Sequence, residues 1–128
     1  SQSLTSGVTA KIAYNAETFD TNNTFDSTTN FRFTPSAGYY QVSWGTYCYA
    51  TGTSITTAWT NLYKNGGAYA QGSEYVGSAL NEFGSVGSAL VYLNGTDYLE
   101  VYANIVGTTP LILTGASSTY FTAALVMR

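Results

Sequence analysis

The side chains that could do chemistry are few. The 128 residues contain no histidine, a single cysteine (Cys48), four Lys or Arg and seven Asp or Glu. Without an imidazole the chain lacks the commonest general base and the commonest metal ligand. One thiol makes neither an internal disulfide nor a zinc-thiolate site, and on the apolar side of a strand it reads as a small core group. A glycosidase would need two carboxylates facing each other across a cleft. Asp97 and Glu100 are close in sequence, but their odd spacing along a strand sends them to opposite faces. Glu74 and Glu82 are separated by a glycine-rich stretch. A nucleophilic serine would need a lysine or carboxylate base, and no motif supplies one. The glycines between Gly77 and Gly87 lack the helix and lysine of a phosphate loop. The expectation is a protein that is not an enzyme. Asp20 and Asp26, in an Asn-rich loop, offer hard oxygens, which leaves calcium as a candidate cofactor. Asx residues in loops are mostly turn formers, so no metal site is assigned. Asn22-Asn23-Thr24 and Asn94-Gly95-Thr96 fit the glycan acceptor pattern, which chance produces readily in a chain this rich in Asn and Thr.

What remains is aromatic. The chain has 12 Tyr, and its two Trp are Trp44 and Trp59. From Tyr40 the even positions run Tyr40, Val42, Trp44, Thr46, Cys48, Ala50 and should face a core. The odd positions run Tyr39, Gln41, Ser43, Gly45, Tyr47, Tyr49, a face too aromatic for plain solvent. Tyr92 and Tyr120 point outward on their own strands if Val91/Leu93 and Phe121/Ala123/Leu125 are core. These five tyrosines are candidates for a subunit contact, because Tyr gives a large contact area at low entropy cost and keeps a polar tip. Trp59 and Tyr63, four residues apart on one strand face, are the candidates for a ligand platform.

The elements that must position these rings are strands. Val8, Ala10, Ile12 and Tyr14 alternate in a first strand that follows a loose lead-in over residues 1–6. A Thr/Asn/Asp-rich loop follows, pinned by Phe19 and Phe25. Phe31 to Phe33, a Pro-Gly turn and the long strand to Ala50 come next, and then residues 55–64. Asn65-Gly66-Gly67 is a strong hairpin signal. A returning strand and a loose segment near 77–84 lead to the strand ending at Leu93. Asn94 to Asp97 turns the chain. Leu99, Val101, Ala103 and Ile105 line one face of the next strand. A break at 107–110, a short strand at 111–113, a loop at 115–118 and a closing strand at 119–127 complete the chain. No stretch has a helical period, so the expected fold is an all-β sandwich.

The length suits one domain over 1–128 with a core of its own. A net charge of -3 with no basic cluster argues against nucleic acid. No apolar run reaches the length of a membrane span and no signal peptide is recognised, so no membrane insertion is expected. A surface of Thr, Ser, Asn, Gly and Tyr with few charges is commoner outside cells or on virions. The abrupt opening, SQSLTSG, suggests a fragment of something longer.

Several blocks resemble the C1q-like globular domain of the C1q and tumour necrosis factor superfamily. Phe33-Thr34-Pro35-Ser36-Ala37-Gly38-Tyr39-Tyr40-Gln41-Val42 is similar to that family's F-x-P-x-x-G-x-Y-x-F block, with Val42 where an aromatic is usual. Leu62-Tyr63-Lys64-Asn65-Gly66 matches its L-x-K-N-G hairpin. Gly87-Ser88-Ala89-Leu90-Val91-Tyr92-Leu93 resembles its G-S-x-x-L-x-L strand, and Gly95-Thr96-Asp97 its Gly-Asp turn. Ser118-Thr119-Tyr120-Phe121-Thr122-Ala123 resembles its closing strand, with one residue inserted. The blocks keep their order from about Val8 to Met127. The resemblance implies a jelly roll of about ten strands, a compact homotrimer behind a stalk, and a domain that binds rather than catalyses. It places Tyr39, Tyr47, Tyr49, Tyr92 and Tyr120 on strands near a threefold axis. The expected role is a trimeric head of a phage, viral or bacterial fibre or surface protein that attaches to a cell-surface glycan or protein. A monomeric carbohydrate-binding module and a capsid or decoration domain are the alternatives.

Overall fold

The computed structural model describes residues 1–115 and 117–128. Its eleven strands are β1 (Gln2–Ser3), β2 (Ala10–Lys11), β3 (Phe25–Asp26), β4 (Arg32–Phe33), β5 (Gly38–Thr51), β6 (Ile55–Lys64), β7 (Gly67–Leu80), β8 (Glu82–Leu93), β9 (Leu99–Val106), β10 (Thr108–Leu113) and β11 (Tyr120–Met127). No helix occurs among the described residues, and so none is long and apolar enough to cross a membrane. All pairings are antiparallel, and they form two sheets. In the first, β5 pairs with β8 along one edge and with β10 and β11 end to end along the other, and β1 lies outside β10. In the second the order is β3-β4-β9-β6-β7, with β2 also on β9. The chain is a β-sandwich.

Period-two alternation decides which side chains enter the space between the sheets. On β5 the whole even set from Tyr40 to Ala50 is buried, Val42, Trp44, Thr46, Cys48 and Ala50 completely. On β9 the buried set is Leu99, Val101, Ala103 and Ile105, as the sequence leads one to expect. Ala58 and Leu62 from β6 and Val91 and Leu93 from β8 fill the remaining core. Asn65 and Gly66 both have positive φ (52° and 82°), as a two-residue hairpin with the strand twist requires.

A polar chain crosses this core. Trp44 Nε1 donates to Thr60 Oγ1 at 2.9 Å. Thr60 and Ser85 hydroxyls meet at 2.7 Å, and Ser85 Oγ donates to the Ser73 carbonyl at 2.7 Å. Each group donates to the next, so four strands of both sheets are tied with nothing left unpaired along the line. Gly87 makes room for the indole: a Cβ there would lie 2.2 Å from Trp44 Cζ2.

Several expectations need correction. The lead-in is not loose: Gln2 and Ser3 pair with Ile112 and Leu111, and the Gln2 amide donates to Lys11 O and accepts from Ala13 N. The first expected strand shrinks to Ala10–Lys11, because residues 4–9 cross from one sheet to the other, and Val8 is exposed. The segment 77–84 is not loose: β7 runs to Leu80 and β8 starts at Glu82, so glycine content misled where the ladder continues. Phe25 packs against the core but Phe19 is 82% exposed and pins nothing. Leu125 pairs with Tyr40 on the inner side of β11 yet is 41% exposed, because nothing closes the sandwich there. The loop expected at 115–118 includes Ala116, which lies outside the described residues.

Candidate functional site

The register of the first sheet brings the five tyrosines to one face. Tyr39, Tyr47 and Tyr49 are odd positions of β5 and point away from the core. Tyr92 lies directly opposite Tyr39, and Tyr120 opposite Gly45, so both share that outer face. The Tyr39 and Tyr92 rings are 5.1 Å apart at 52°. The Tyr120 ring lies flat across Gly45: a Cβ at residue 45 would meet its Cε1 at 2.5 Å. Between them stand Gln41, Ser43, Leu90, Ser88, Val86, Thr122 and Ala124. Leu90 and Val86 are more than half exposed, as large apolar side chains on a solvent face should not be. The exposure does not come from loose packing, since the total accessible surface of 6546 Å² matches the roughly 6,600 Å² expected of a compact chain of this mass.

The only charged side chain of these ladder positions is Glu82, opposite Tyr49, and it accepts a hydrogen bond from Tyr47 Oη. That bond holds the Tyr47 hydroxyl above the usual phenol range. The face is therefore aromatic and almost free of charge.

The outer face of the second sheet differs in kind. Trp59 and Tyr63 share it, each half-buried, as their spacing predicts. The Tyr63 ring is stacked on Tyr102 at 4.2 Å, so one of its faces is already covered. Beside them is a group of charges that sequence reasoning missed. Glu100 is only 4% exposed although it points outward, because Lys11 Nζ at 2.9 Å and Arg32 Nη2 at 3.0 Å both close on Oε2. Arg32 in turn lies 3.9 Å over the Tyr98 ring. Lys64 adds an ion pair with Asp97 at 3.5 Å. Three of the four basic side chains are thus engaged by carboxylates of this sheet and its turns. Only the pairing of strands distant in sequence could have shown this: Lys11 and Glu100 are 89 residues apart.

Neither acid pair weighed from the sequence faces its partner across a cleft. Asp97 and Glu100 engage different cations, and Glu74 accepts from Gln71 while Glu82 lies on the opposite sheet. The Asp20 and Asp26 carboxylates are occupied by their own loop. Asp20 accepts from Phe25 N and Thr24 Oγ1; Asp26 accepts from the amides of Thr28, Thr29 and Asn30. Among the described residues no group of three or more His, Cys, Asp or Glu is placed to hold a metal. Cys48 is completely buried, and burial pushes its thiol up to about 12, away from the reactive thiolate form. No protein-family model and no curated protein matches the chain.

Proposed function

We propose that the outer face of the first sheet is a subunit seam, and that the chain is the non-enzymatic, homotrimeric head of a fibrous or surface protein. The observation that carries this reading is the gathering of Tyr39, Tyr47, Tyr49, Tyr92 and Tyr120 on one nearly uncharged sheet face beside exposed Leu90 and Val86. Interface cores are depleted of charge and enriched in Tyr, whereas the solvent face of a sheet should carry the mixed charges that the second sheet carries here. The strand order supports a jelly roll like that of C1q-like domains, with β10 and β11 as one interrupted strand beside β5. The low charge and the hydroxyl- and amide-rich surface support a place outside the cell or on a virion, and attachment to a cell-surface glycan or protein.

The test replaces Tyr39 and Tyr92 together by Arg. Two guanidinium groups in the seam should turn the assembly into monomers that keep the native far-UV spectrum. Trp59→Arg, on the other sheet, should leave the assembly intact. If the double variant keeps the wild-type mass, the seam lies elsewhere.

A second reading, a carbohydrate-binding module, draws on Trp59 and Tyr63 sharing the other outer face. Binding to a glycan array that is lost in Trp59→Ala supports it; equal binding by both proteins contradicts it.

A further inference from the structure

β11 is an edge strand with an open side. Its inner neighbour is β5, and no strand among the described residues lies beyond it, although the collinear β10 is covered by β1. Alternate backbone N–H and C=O groups of such a strand point outward in the plane of the sheet without partners. Natural sandwiches usually block such an edge with charge, proline or a bulge. Here residues 120–125 read Tyr-Phe-Thr-Ala-Ala-Leu, with no charge and no proline, and the one register shift of β11 against β5 comes after them, between Leu125 and Met127.

The open side faces a groove of about 1090 Å³. Residues 120–125, six in succession, line one wall, so the groove follows the backbone edge rather than one face of the strand. Residues 12–22 line the opposite wall, and Phe25, Phe33, Tyr40 and Ile112 form an apolar floor between the sheets. Phe121, Phe25 and Tyr14 pack on one another there, with ring centroids 5.5 to 6.4 Å apart. The wall supplies two carboxylates, Glu17 and Asp20, and no Lys or Arg side chain lines the groove.

We propose that this groove accepts an extended segment of a partner polypeptide, which adds to the first sheet as a strand antiparallel to β11, in line with β1. The unpaired backbone edge selects a peptide main chain over a sugar or a lipid. Six edge residues at about 3.4 Å each give a slot roughly 20 Å long, enough for a strand of ordinary length. The aromatic floor takes apolar side chains at every second position, and the acidic wall selects a basic residue at the flanks. The slot takes the in-plane edge of β11, whereas the proposed seam takes the outer face of the sheet, to which Tyr120, Thr122 and Ala124 of the same strand also belong. Strand addition is therefore separable from trimer formation.

The test uses a small pool of nonapeptides with Val, Ile or Leu at alternate positions, Thr between them and Lys at both ends. Each is titrated into the isotope-labelled chain while amide shifts and hydrogen exchange are recorded. The expected result is shifts confined to the groove lining, residues 12–25, 33–40, 112–115 and 120–126, and at least tenfold slower exchange of alternate β11 amides. A peptide methylated on alternate backbone nitrogens should bind at least tenfold more weakly, and so should one with Glu in place of Lys. Four results overturn the proposal: no peptide binding, equal binding of the N-methylated peptide, equal binding of the acidic peptide, or shifts that map to another surface. Concentration-dependent protection of β11 amides without peptide would also overturn it, by placing a second copy in the slot.

Discussion

Gly45 and Gly87 offer a paired perturbation whose two halves should behave oppositely. Both lack room for a Cβ: at Gly87 it would lie 2.2 Å from Trp44 Cζ2 and 2.6 Å from Cε2, and at Gly45 it would lie 2.5 Å from Tyr120 Cε1. Carbon atoms in contact sit at about 3.5–4.0 Å, so either ring must retreat by about 1 Å or more. The Trp44 indole has no exposed surface and is held by its hydrogen bond to Thr60, so it has nowhere to go. Overpacking a core costs about 1–3 kcal/mol, and an indole N–H pulled off its buried acceptor costs about 1–3 more. The entropy recovered by replacing Gly in a strand is only about 0.5–1 kcal/mol. Gly87→Ala should therefore lose about 1–5 kcal/mol in urea denaturation followed by Trp fluorescence. Tyr120 is only half-buried and can swing into solvent, so Gly45→Ala should stay within about 1 kcal/mol of wild type in the isolated chain. The displaced ring would stand out from the proposed seam, and the same variant should weaken assembly at least tenfold in sedimentation. A Gly87→Ala protein as stable as wild type would refute the packing argument. A Gly45→Ala protein that assembles normally would refute the seam.

Other perturbations follow from single groups. Burial pushes the Tyr14 hydroxyl well above the phenol range; the neighbouring Thr46 hydroxyl pulls the other way, but the two do not reach hydrogen-bond geometry. Tyr14→Phe should thus stay within about 0.5 kcal/mol of wild type or gain stability, and a loss of 1 kcal/mol or more would show that the hydroxyl is paired. Glu100→Gln leaves Lys11 and Arg32 without their shared counter-charge. With both cations partly exposed, the cost should be about 1–3 kcal/mol by denaturation, and no change would show that the cluster is spectator charge. For Asp20, burial pulls upward, but the amides of Phe25 and Thr24 hold its carboxyl below the usual range. The amides of Thr29, Thr28 and Asn30 do the same for Asp26, and the Asn65 side chain does so for Asp97. Folded values below unfolded ones mean stability that is present above the unfolded value and lost as pH falls through the folded one. Amide exchange in loops 20–30 and 94–97 should therefore rise as pH falls below about 4, relative to intrinsic rates. Loops as protected at pH 2 as at pH 6 would contradict this.

Much of this architecture is legible because strand period is local. The inner faces of β5 and β9 can be read residue by residue, since each needs only alternation within one segment. The outward set Tyr39, Tyr47, Tyr49, Tyr92 and Tyr120 is legible strand by strand, but their gathering on one face depends on which strands pair. What escapes the sequence is non-local or depends on competition. The Trp44–Thr60–Ser85 line joins residues on three strands and leaves no mark on any of them. Glu100 reads as an ordinary outward acid and is buried only because Lys11 and Arg32 converge on it. Gly77 and Gly84 suggest a loose segment, yet Gly84 pairs with Tyr47 of β5, and Gly77 sits in a register shift of β7 that the flanking pairs Thr57–Val76 and Ile55–Leu80 hold in the sheet. The open edge of β11 is invisible in principle, since it is the lack of a neighbour.

The most direct measurement is the mass of the chain in solution by sedimentation equilibrium at physiological salt, over a hundredfold range of concentration. A phenol-lined seam predicts a species of three times 13.7 kDa that persists on dilution. A single species of 13.7 kDa at the highest concentration would contradict it.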